Sequence, residues 1–394
     1  MSDFPIRAED MTACVTLPPI SREGFRSVSV AVERASTIVF PDAAAYAARN
    51  DNGHGAYSYG LHGTPTSRQL EAQIAALEGG THCMVTPSGL VAITLAILSL
   101  VRAGETVLIP DTVYPPVRAF AHRMLAGLGV TVVYYDPTIG SRIDALLGPE
   151  VRLVLTESPG STTMEIQDLP AIAAAAKARG IPTACDNSWA TPLFCKPLAL
   201  GIDISIEAVS KYIAGHSDLL MGSITTSDPE LWDRLRTGFK LLGLGVSPDD
   251  CSLALRGLQS LPLRLAHAGS IGLALAGRLQ TCPAVAAVLH PALPQFSGHD
   301  IWKRDFTGAS GVFSVIPVPQ AAPRVSRALE AMQHFSIGAS WGGLHSIVAP
   351  MDLTGNRTVG TAPTGPVIRF SVGGEAPEAL AADLDAFCAV LEGL

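Results

Sequence analysis

The feature that most constrains the fold of this chain is the regular alternation of short β-rich runs with helical segments after residue 59. The runs are 106–110, 130–135, 151–156, 181–186 and 204–209. Helical stretches separate them; the one at 169–179 is full of alanine and ends at Gly180. Such alternation is typical of βαβ units. We therefore predict an α/β fold with a mainly parallel sheet covered by helices.

The rest of the chain differs in character, and we predict three regions. Residues 1–58 lack sustained periodicity and are predicted to form an N-terminal arm, while residues 59–250 form the α/β domain. Residues 251–394 begin with a long Ala/Leu-rich helix that ends near Leu279, and they close with a helix from Pro377. Between these helices lie β-like segments at 311–318 and 367–372. This pattern indicates a smaller C-terminal α+β domain.

Composition narrows the classes of protein. With 394 residues, of which 48% are hydrophobic, the chain can bury a large core. A net charge of −8 argues against nucleic acid or an anionic membrane as a partner. The seven cysteines are scattered without a CxxC pair, which favours reduced cytosolic thiols over disulfides or a metal site. We expect a cytoplasmic protein without a signal peptide or membrane span, since the most apolar stretch, 89–101, is too short.

Polar residues with chemical potential follow several of the predicted strands. Because the carboxyl ends of parallel strands share one edge of a sheet, we expect Glu157, Asp186 and Lys211 to converge there. A lysine amine can form a Schiff base with an aldehyde, and an aspartate can keep a pyridine nitrogen protonated. Together they predict a site for pyridoxal 5′-phosphate (PLP). Taken singly, Lys211 would by default be a surface lysine and Asp186 a cap or turn residue.

Two upstream segments fit the same cofactor. Ser88, Gly89 and Leu90 open an apolar helix, whose free N–H groups can bind phosphate, although an ordinary capped core helix has the same sequence. Tyr114 follows the run 106–110 and can stack on a planar ring, although most such tyrosines only pack. Their joint occurrence in this order favours the PLP site. Motifs of competing chemistries, such as GxGxxG, GxxxxGK[ST] and HExxH, are absent from the sequence.

These stretches resemble the Cys/Met-metabolism family of PLP-dependent enzymes, and most of all its cystathionine β-lyase branch. The resemblance covers most of the chain from about residue 30 and is carried by 59–66, 77–80, 157–165, 186–190, 201–206, 210–218, 340–343 and 368–369. The block from Glu157 to Asp218 is highly specific for the family. Tyr114-Pro-Pro and Ser340-Trp341-Gly-Gly favour the β-lyase branch.

The resemblance implies a role for each matching residue in a PLP-dependent transferase fold of type I. Lys211 would bind the cofactor and take the Cα proton, Asp186 would face the pyridine nitrogen, and Tyr114 would stack on the ring. The phosphate would be held by Ser88, Gly89, Leu90 and Ser210. Tyr59 would reach across from a neighbouring subunit. Arg369, with Ser340 and Trp341, would bind the substrate carboxylate, for which a guanidinium fork is well suited.

Two positions depart from the family pattern. Leu61 stands where an arginine normally reaches the cofactor phosphate of the adjacent subunit. His62 would replace that charge only if it is partly protonated; otherwise it points to solvent. Ala339 stands where the β-lyase branch often has a tyrosine, so the distal part of the substrate pocket would be wider.

The activity implied is β-elimination on L-cystathionine or a related cysteine thioether, giving a thiol, pyruvate and ammonia in a methionine-pathway step. We expect a homotetramer built from two dimers, with an amino acid as its small-molecule partner. Tyr59 and Tyr114 are candidates for lowered pKa values. Several alternatives stay open: γ-elimination or γ-replacement, cysteine desulfhydration or racemisation on the same scaffold, a PLP-binding protein without turnover, and a fold in which Lys211 is only structural.

Overall fold

A computed structural model describes residues 23–24, 27–50, 56–360, 362–363 and 365–394. Residues 32–394 form one unit, which contains two β-sheets. Residues 1–31 form another unit, whose described positions contain neither helix nor strand. Cys14 and much of the predicted arm lie outside the described residues.

The larger sheet has seven strands in the order β1-β7-β6-β5-β4-β2-β3. All of its strands run in the same direction except β7, which is antiparallel to both neighbours, β1 and β6. The strands are β1 (His82–Thr86), β2 (Thr106–Pro110), β3 (Thr131–Tyr135), β4 (Val151–Glu157), β5 (Thr183–Asp186), β6 (Ile204–Glu207) and β7 (Gly222–Thr226). The predicted mainly parallel α/β sheet is confirmed. The antiparallel strand β7 was not among the sequence predictions.

Helices flank this sheet and begin where the sequence offers a cap. Ser88 accepts a hydrogen bond from the Val91 N–H, and Asp168 accepts one from Ala171 at the start of the next long helix. The α-helices are Ala43–Ala47, Pro65–Glu78, Gly89–Leu100, Pro115–Phe120, Leu169–Ala178, Thr191–Phe194, Pro229–Leu241, Pro248–Leu279, His299–Asp305, Val325–Glu330 and Pro377–Glu392. Short 3₁₀ turns lie at Ala48–Asn50, Gly60–His62, Ala126–Leu128, Gly140–Leu146, Pro197–Leu200 and Ala322–Arg324, and a π turn lies at Ala121–Leu125.

The smaller sheet has five strands in the order β10-β11-β12-β9-β8. They are β8 (Val285–Leu289), β9 (Val312–Pro317), β10 (Ser336–Ile337), β11 (Ile347–Met351) and β12 (Val367–Ser371). Its core is aromatic: the rings of Phe313 and Phe370 stack at 5.3 Å, and Phe335 and Phe387 meet Phe370 edge-on. The two strands predicted in this region correspond to β9 and β12, whereas β8, β10 and β11 were not predicted.

The helix Pro248–Leu279 contacts both halves of the unit through glycines. A Cβ atom on Gly257 would lie 2.3 Å from the Ala214 carbonyl oxygen, close to Lys211 in the chain. One on Gly269 would lie 2.1 Å from the carbonyl oxygen of Ala309, just before β9. Only glycine permits such close approach. The helix therefore packs directly against the backbone that follows Lys211 and against the backbone that enters the smaller sheet.

Among the described residues, no helix is both long and apolar enough to cross a membrane. The six described cysteines, Cys83, Cys185, Cys195, Cys251, Cys282 and Cys388, are free thiols.

Candidate active site

A cavity of about 450 Å³ lies at the carboxyl ends of the central strands of the larger sheet and extends to the smaller sheet. Both its volume and its position are typical of ligand sites in α/β proteins. It brings together all but one of the predicted site residues: Ser88, Gly89, Leu90, Tyr114, Asp186, Ser210, Lys211, Ser340, Trp341 and Arg369. Glu157 lines the same cavity. The exception is Tyr59.

Lys211 lies on the turn that follows β6 and reaches toward the smaller sheet. Its N–H donates to the Ala208 carbonyl at 2.9 Å, which fixes the turn. Its ammonium donates to the Ser340 hydroxyl and lies 5.1 Å from the centre of the Trp341 ring. Burial and the nearby Arg369 charge lower the pKa of Lys211 to about 8, although Asp186 acts in the opposite direction. A substantial fraction of the amine is thus neutral near pH 8 and able to act as a nucleophile or base.

Asp186 is the last residue of β5, and Ser188 holds its carboxylate. The Ser188 N–H donates to Asp186 Oδ1 at 3.0 Å, and the Ser188 hydroxyl donates to the same oxygen at 2.6 Å. That hydroxyl also accepts the Ala208 N–H at 2.6 Å, so it links the ends of β5 and β6. Burial raises the pKa of Asp186, opposed by the Ser188 hydrogen bonds and by Lys211. A cationic ring nitrogen would compensate this buried carboxylate.

The helix that starts at Gly89 presents its first N–H groups to the cavity. Ser88 uses its hydroxyl oxygen to cap Val91, at 3.1 Å, and leaves the Gly89 and Leu90 amides at the helix start, where an anion is stabilised. A Cβ on Gly89 would lie 2.6 Å from the Ala208 Cβ. The absence of a side chain at this position therefore lets the helix start pack against the turn that carries Lys211.

Ser210 is already engaged with the backbone. Its hydroxyl donates to the Met221 carbonyl at 3.0 Å and accepts the Met221 N–H at 2.8 Å. To donate to a phosphate, the Ser210 proton must turn away from the Met221 carbonyl, because a hydroxyl has only one proton.

Tyr114 precedes the helix Pro115–Phe120 and is 42% exposed at the cavity. Its N–H donates to Glu157 Oε2 at 2.8 Å. Burial and the Asp186 carboxylate raise the pKa of Tyr114; Arg369 opposes this rise, while Glu157 adds to it. The expectation of a lowered pKa for Tyr114 is therefore wrong, because partial burial and two nearby carboxylates disfavour the charged phenolate.

Arg369 and Ser340 form the side of the cavity that comes from the smaller sheet. Arg369 lies within β12, and its Nη2 donates to the Ser340 carbonyl at 2.9 Å. Ser340 has a φ of 76°. Three other cavity residues, Thr162, Met164 and Ser217, share this rare left-handed backbone conformation. Such strain concentrates at functional sites, where the surrounding structure holds it in place.

Tyr59 and its neighbours lie away from this cavity within the single chain. Tyr59 is 46% exposed, and its hydroxyl lies 3.3 Å from the Ser36 hydroxyl. His62 Nδ1 lies 3.1 Å from the Ser58 hydroxyl. Burial lowers the pKa of His62, as do the nearby charges of Lys240, Arg236 and Arg68. In this chain, therefore, the surroundings of His62 disfavour the positive charge that would replace the arginine missing at Leu61. Ala339, the other departure from the family pattern, lines the cavity.

Sequence reasoning missed the roles of three supporting residues, although it expected one of them, Glu157, to lie at this edge of the sheet. Ser188 donates hydrogen bonds to the Asp186 carboxylate, and Glu157 accepts the Tyr114 N–H. Burial and Asp186 raise the pKa of Glu157 well above its ordinary value. Asp111, directly after β2, accepts backbone N–H groups from Thr358, Val359 and Gly360 at 2.9–3.0 Å. It also accepts a side-chain hydrogen bond from Arg118 at 2.7 Å. The position of Glu157 and Asp111 at strand ends was a usable signal, but their partners lie far away in the sequence.

The residues present fit PLP. The site offers a helix start for the phosphate, a buried carboxylate for the pyridine nitrogen, an aromatic side chain for the ring and a lysine of lowered pKa for the aldehyde. No group of three or more His, Cys, Asp or Glu side chains suited to a metal ion occurs in the described parts of the chain.

Comparison with known proteins agrees with this geometry. The chain superimposes on the crystal structure of cystathionine gamma synthase from Xanthomonas oryzae pv. oryzae in complex with aminoacrylate and cysteine, with a TM-score of 0.84 and 28% identity over 93% of this chain and 94% of that one. It is 39% identical to cystathionine beta-lyase MetC of Escherichia coli K12 over 91% of this chain and 93% of the relative. It is also 39% identical to L-alanine/L-glutamate racemase of Wolbachia pipientis wMel over 93% of both.

Fold and site together define a PLP-dependent enzyme. The model of the Cys/Met metabolism PLP-dependent enzymes matches residues 11–388, and the chain belongs to that family. Within the family it is a cystathionine β-lyase-like enzyme. The predictions of family, fold class and cofactor are confirmed.

Proposed function

We propose that this enzyme cleaves L-cystathionine by β-elimination. The products would be homocysteine, pyruvate and ammonia, with one water consumed. The observation that carries the proposal is the juxtaposition of Lys211, Ser340 and Arg369: the lysine amine donates to the Ser340 hydroxyl, and the guanidinium donates to the Ser340 carbonyl. A proton-transfer group and a carboxylate-binding group are thus tied to the same residue.

Arg369 would bind the substrate α-carboxylate. Its Nη2 is oriented by the Ser340 carbonyl, and a guanidinium has five N–H donors in a fixed plane, so further donors remain for a bidentate contact. Trp341, whose ring lies beside the Lys211 ammonium, would form a wall of the same pocket. Fixing the carboxylate orients the Cα–H bond toward Lys211.

Lys211 would remove the Cα proton and later deliver a proton to the departing sulfur. When bound, PLP supplies a pyridine ring that takes up the electron pair left at Cα. Asp186, kept in place by Ser188, would hold the proton on the ring nitrogen. Tyr114, with its raised pKa, stays protonated at neutral pH and would donate rather than accept a proton.

The test is to incubate the holoenzyme with L-cystathionine and identify the keto acid and the thiol. Pyruvate with homocysteine supports the proposal. The pair 2-oxobutyrate and cysteine would instead assign γ-elimination to the site. Absence of any keto acid, with the cofactor bound, would overturn the lyase proposal.

A second candidate is amino-acid racemisation, which the similarity to the Wolbachia racemase favours. It needs the same removal of the Cα proton by Lys211, but the proton must return to the opposite face and no leaving group is expelled. Chiral chromatography of L-alanine and L-glutamate after incubation distinguishes the two reactions. D-enantiomers would support racemisation, and unchanged L-enantiomers beside pyruvate from cystathionine would exclude it as the main activity.

We further propose that the enzyme is a cytoplasmic homotetramer built from dimers. Support for association comes from exposed apolar side chains near Tyr59 and on nearby surface segments, among them Leu61, Leu220, Leu241 and Leu242. In such a dimer Tyr59 would contact the cofactor of the neighbouring subunit. The six free thiols of the described residues fit a reducing compartment. Light scattering of the holoenzyme would test the tetramer.

A further inference from the structure

Two buried carboxyl groups, those of Glu78 and Glu207, lie near Asp186 but do not line the cavity. Glu78 is the last residue of the helix Pro65–Glu78, and Glu207 is the last residue of β6. Each is only 1% exposed. No backbone N–H and no charged side chain donates to either Glu78 oxygen in the described structure; the groups within hydrogen-bonding reach are the Ser205 hydroxyl and the carboxyl of Glu207. Two carboxyl groups in this arrangement are compatible only if they share a proton.

Asn187 connects this pair to the cofactor site. Its Nδ2 donates to Glu207 Oε1 at 3.0 Å and to the Cys195 carbonyl at 3.0 Å. Its own N–H donates to the Ile206 carbonyl at 2.9 Å. Asn187 directly follows Asp186. A single peptide bond therefore joins the residue whose carboxylate lines the cavity to the residue that contacts Glu207.

The electrostatics agree with a shared proton. Burial raises the pKa of Glu78 to about 7. Burial, together with the carboxylates of Glu78 and Asp186, raises the pKa of Glu207 well above its ordinary value. The other titratable groups that act on the pair are few: Cys83 on β1, Cys185 on β5, and Cys195 and Lys196 on the segment before β6. Lys196 is the single cation in this set, so it cannot neutralise both carboxylates.

We propose that Glu78 and Glu207 share a proton and, through Asn187, position Asp186 against the pyridine nitrogen of the cofactor. Glu78 and Glu207 are positioning residues, since neither lines the cavity. The proposal rests on the role of Asp186 in the proposed function. It predicts that neutral hydrogen-bonding groups can replace the acids, whereas apolar groups of similar size cannot.

The test measures the dissociation constant of PLP from the holoenzyme in the absence of substrate. Glu207→Leu removes one of the two acceptors of the Asn187 amide, and Asn187→Ala removes the connection itself; each is expected to raise the constant about tenfold or more. Glu207→Gln can accept from Asn187 through its oxygen and donate to Glu78 through its nitrogen, so it should stay near the wild-type value.

Glu71→Gln is the matched control. Glu71 lies on the same helix as Glu78 and is also buried, but its partners are Arg68, at 2.8 Å, and the Val85 N–H, at 3.3 Å. Loss of stability without loss of cofactor affinity is expected for this variant. It separates a general effect of altering a buried glutamate from an effect on Asp186.

Either of two results would overturn the proposal: wild-type PLP affinity in Asn187→Ala, or a loss in Glu207→Gln equal to that in Glu207→Leu. If Glu207→Leu does not fold, infrared difference spectra of the holoenzyme at neutral pH provide a second test. The carbonyl band of a protonated carboxyl should be present in the wild type and reduced in Glu207→Gln, and an unchanged band would overturn the shared proton. Since PLP release is read without substrate, failure of the lyase assay and failure of this proposal are distinguishable.

Discussion

The two sheets contribute to the cavity in different ways. The larger sheet supplies Asp186 and Lys211 from a strand end and the turn that follows the next strand, where parallel topology brings successive segments together. The smaller sheet supplies Arg369 from within an antiparallel strand and Ser340 from a segment with strained backbone. The candidate roles of Asp186 and Lys211 can therefore be inferred from their position in the fold, whereas those of Arg369 and Ser340 are inferred only from their contacts.

The largest expected effect is the loss of catalysis when Lys211, on the larger-sheet side of the cavity, is replaced. Lys211→Ala removes the group proposed to transfer the Cα proton and to bind the cofactor covalently, so kcat should fall by about 10³-fold or more. Spectrophotometry after borohydride treatment should show that PLP is no longer attached to the chain. Retention of more than a tenth of the activity would exclude Lys211 from the chemistry.

The next largest effect is expected at Asp111, which links the end of β2 to the segment 358–360. Asp111→Asn leaves the Arg118 guanidinium, which is buried, without its counter-charge, and this should cost about 3 kcal/mol of unfolding free energy. Burial alone would raise the pKa of Asp111, but the Gly360 and Val359 N–H groups and Arg118 together lower it. The stabilisation is thus present above the pKa of an unfolded aspartate and is lost as the pH falls below it.

Urea unfolding at pH 7 and pH 3 would test this prediction, because the difference between wild type and Asp111→Asn should shrink only below the pKa of an unfolded aspartate, about 4. Asp144→Asn is a suitable control, because Asp144 pairs with Arg179 at the surface, where both side chains are about half exposed. Its cost should stay below about 1 kcal/mol. Equal costs for the two variants would contradict the stabilising role of Asp111.

A smaller effect is expected at Arg369, on the side of the smaller sheet. Arg369→Lys keeps the charge but loses the planar fork, so KM for the substrate should rise about 10- to 100-fold while PLP affinity stays unchanged. Steady-state kinetics and PLP titration provide both values. A fall in PLP affinity with unchanged KM would remove the distinction drawn between the two sheets.

The smallest effect is a pH dependence. Because the lowered pKa of Lys211 is about 8, the neutral amine fraction rises as the pH approaches 8 and levels off above it. The rate of PLP attachment to the cofactor-free protein should therefore increase severalfold from pH 7 to pH 8 and little beyond pH 9. Stopped-flow absorbance would measure it; a midpoint near that of an ordinary lysine would contradict the effect of burial and Arg369.

The sequence was most informative where local pattern and topology coincide. The apolar run 106–110 corresponds to β2 at its observed bounds, and the closing helix begins at Pro377 as predicted. Strand β7 was missed because its residues, Gly-Ser-Ile-Thr-Thr, look polar, although all five are buried between β1 and β6. Propensity does not reveal burial of this kind, which depends on neighbours distant in the chain.

The same limit applies within the site. The residues that would meet the cofactor were found in the sequence, and the structure brings them into one cavity except for Tyr59. The raised pKa of Tyr114 was predicted with the wrong sign, because it depends on Asp186 and Glu157, which approach it only in the folded chain. The cofactor-holding and carboxylate-binding roles of the site residues stay predictions until the variants above are measured.

The glycine contacts of the helix Pro248–Leu279 have a mechanical consequence. Since Gly257 touches the backbone near Lys211 and Gly269 touches the backbone that enters the smaller sheet, the helix acts as a strut between the two walls of the cavity. Neither wall can move toward the helix without overlap between helix backbone and carbonyl oxygens. Additional space for a bulkier substrate therefore depends on small side chains that line the cavity, such as Ala339.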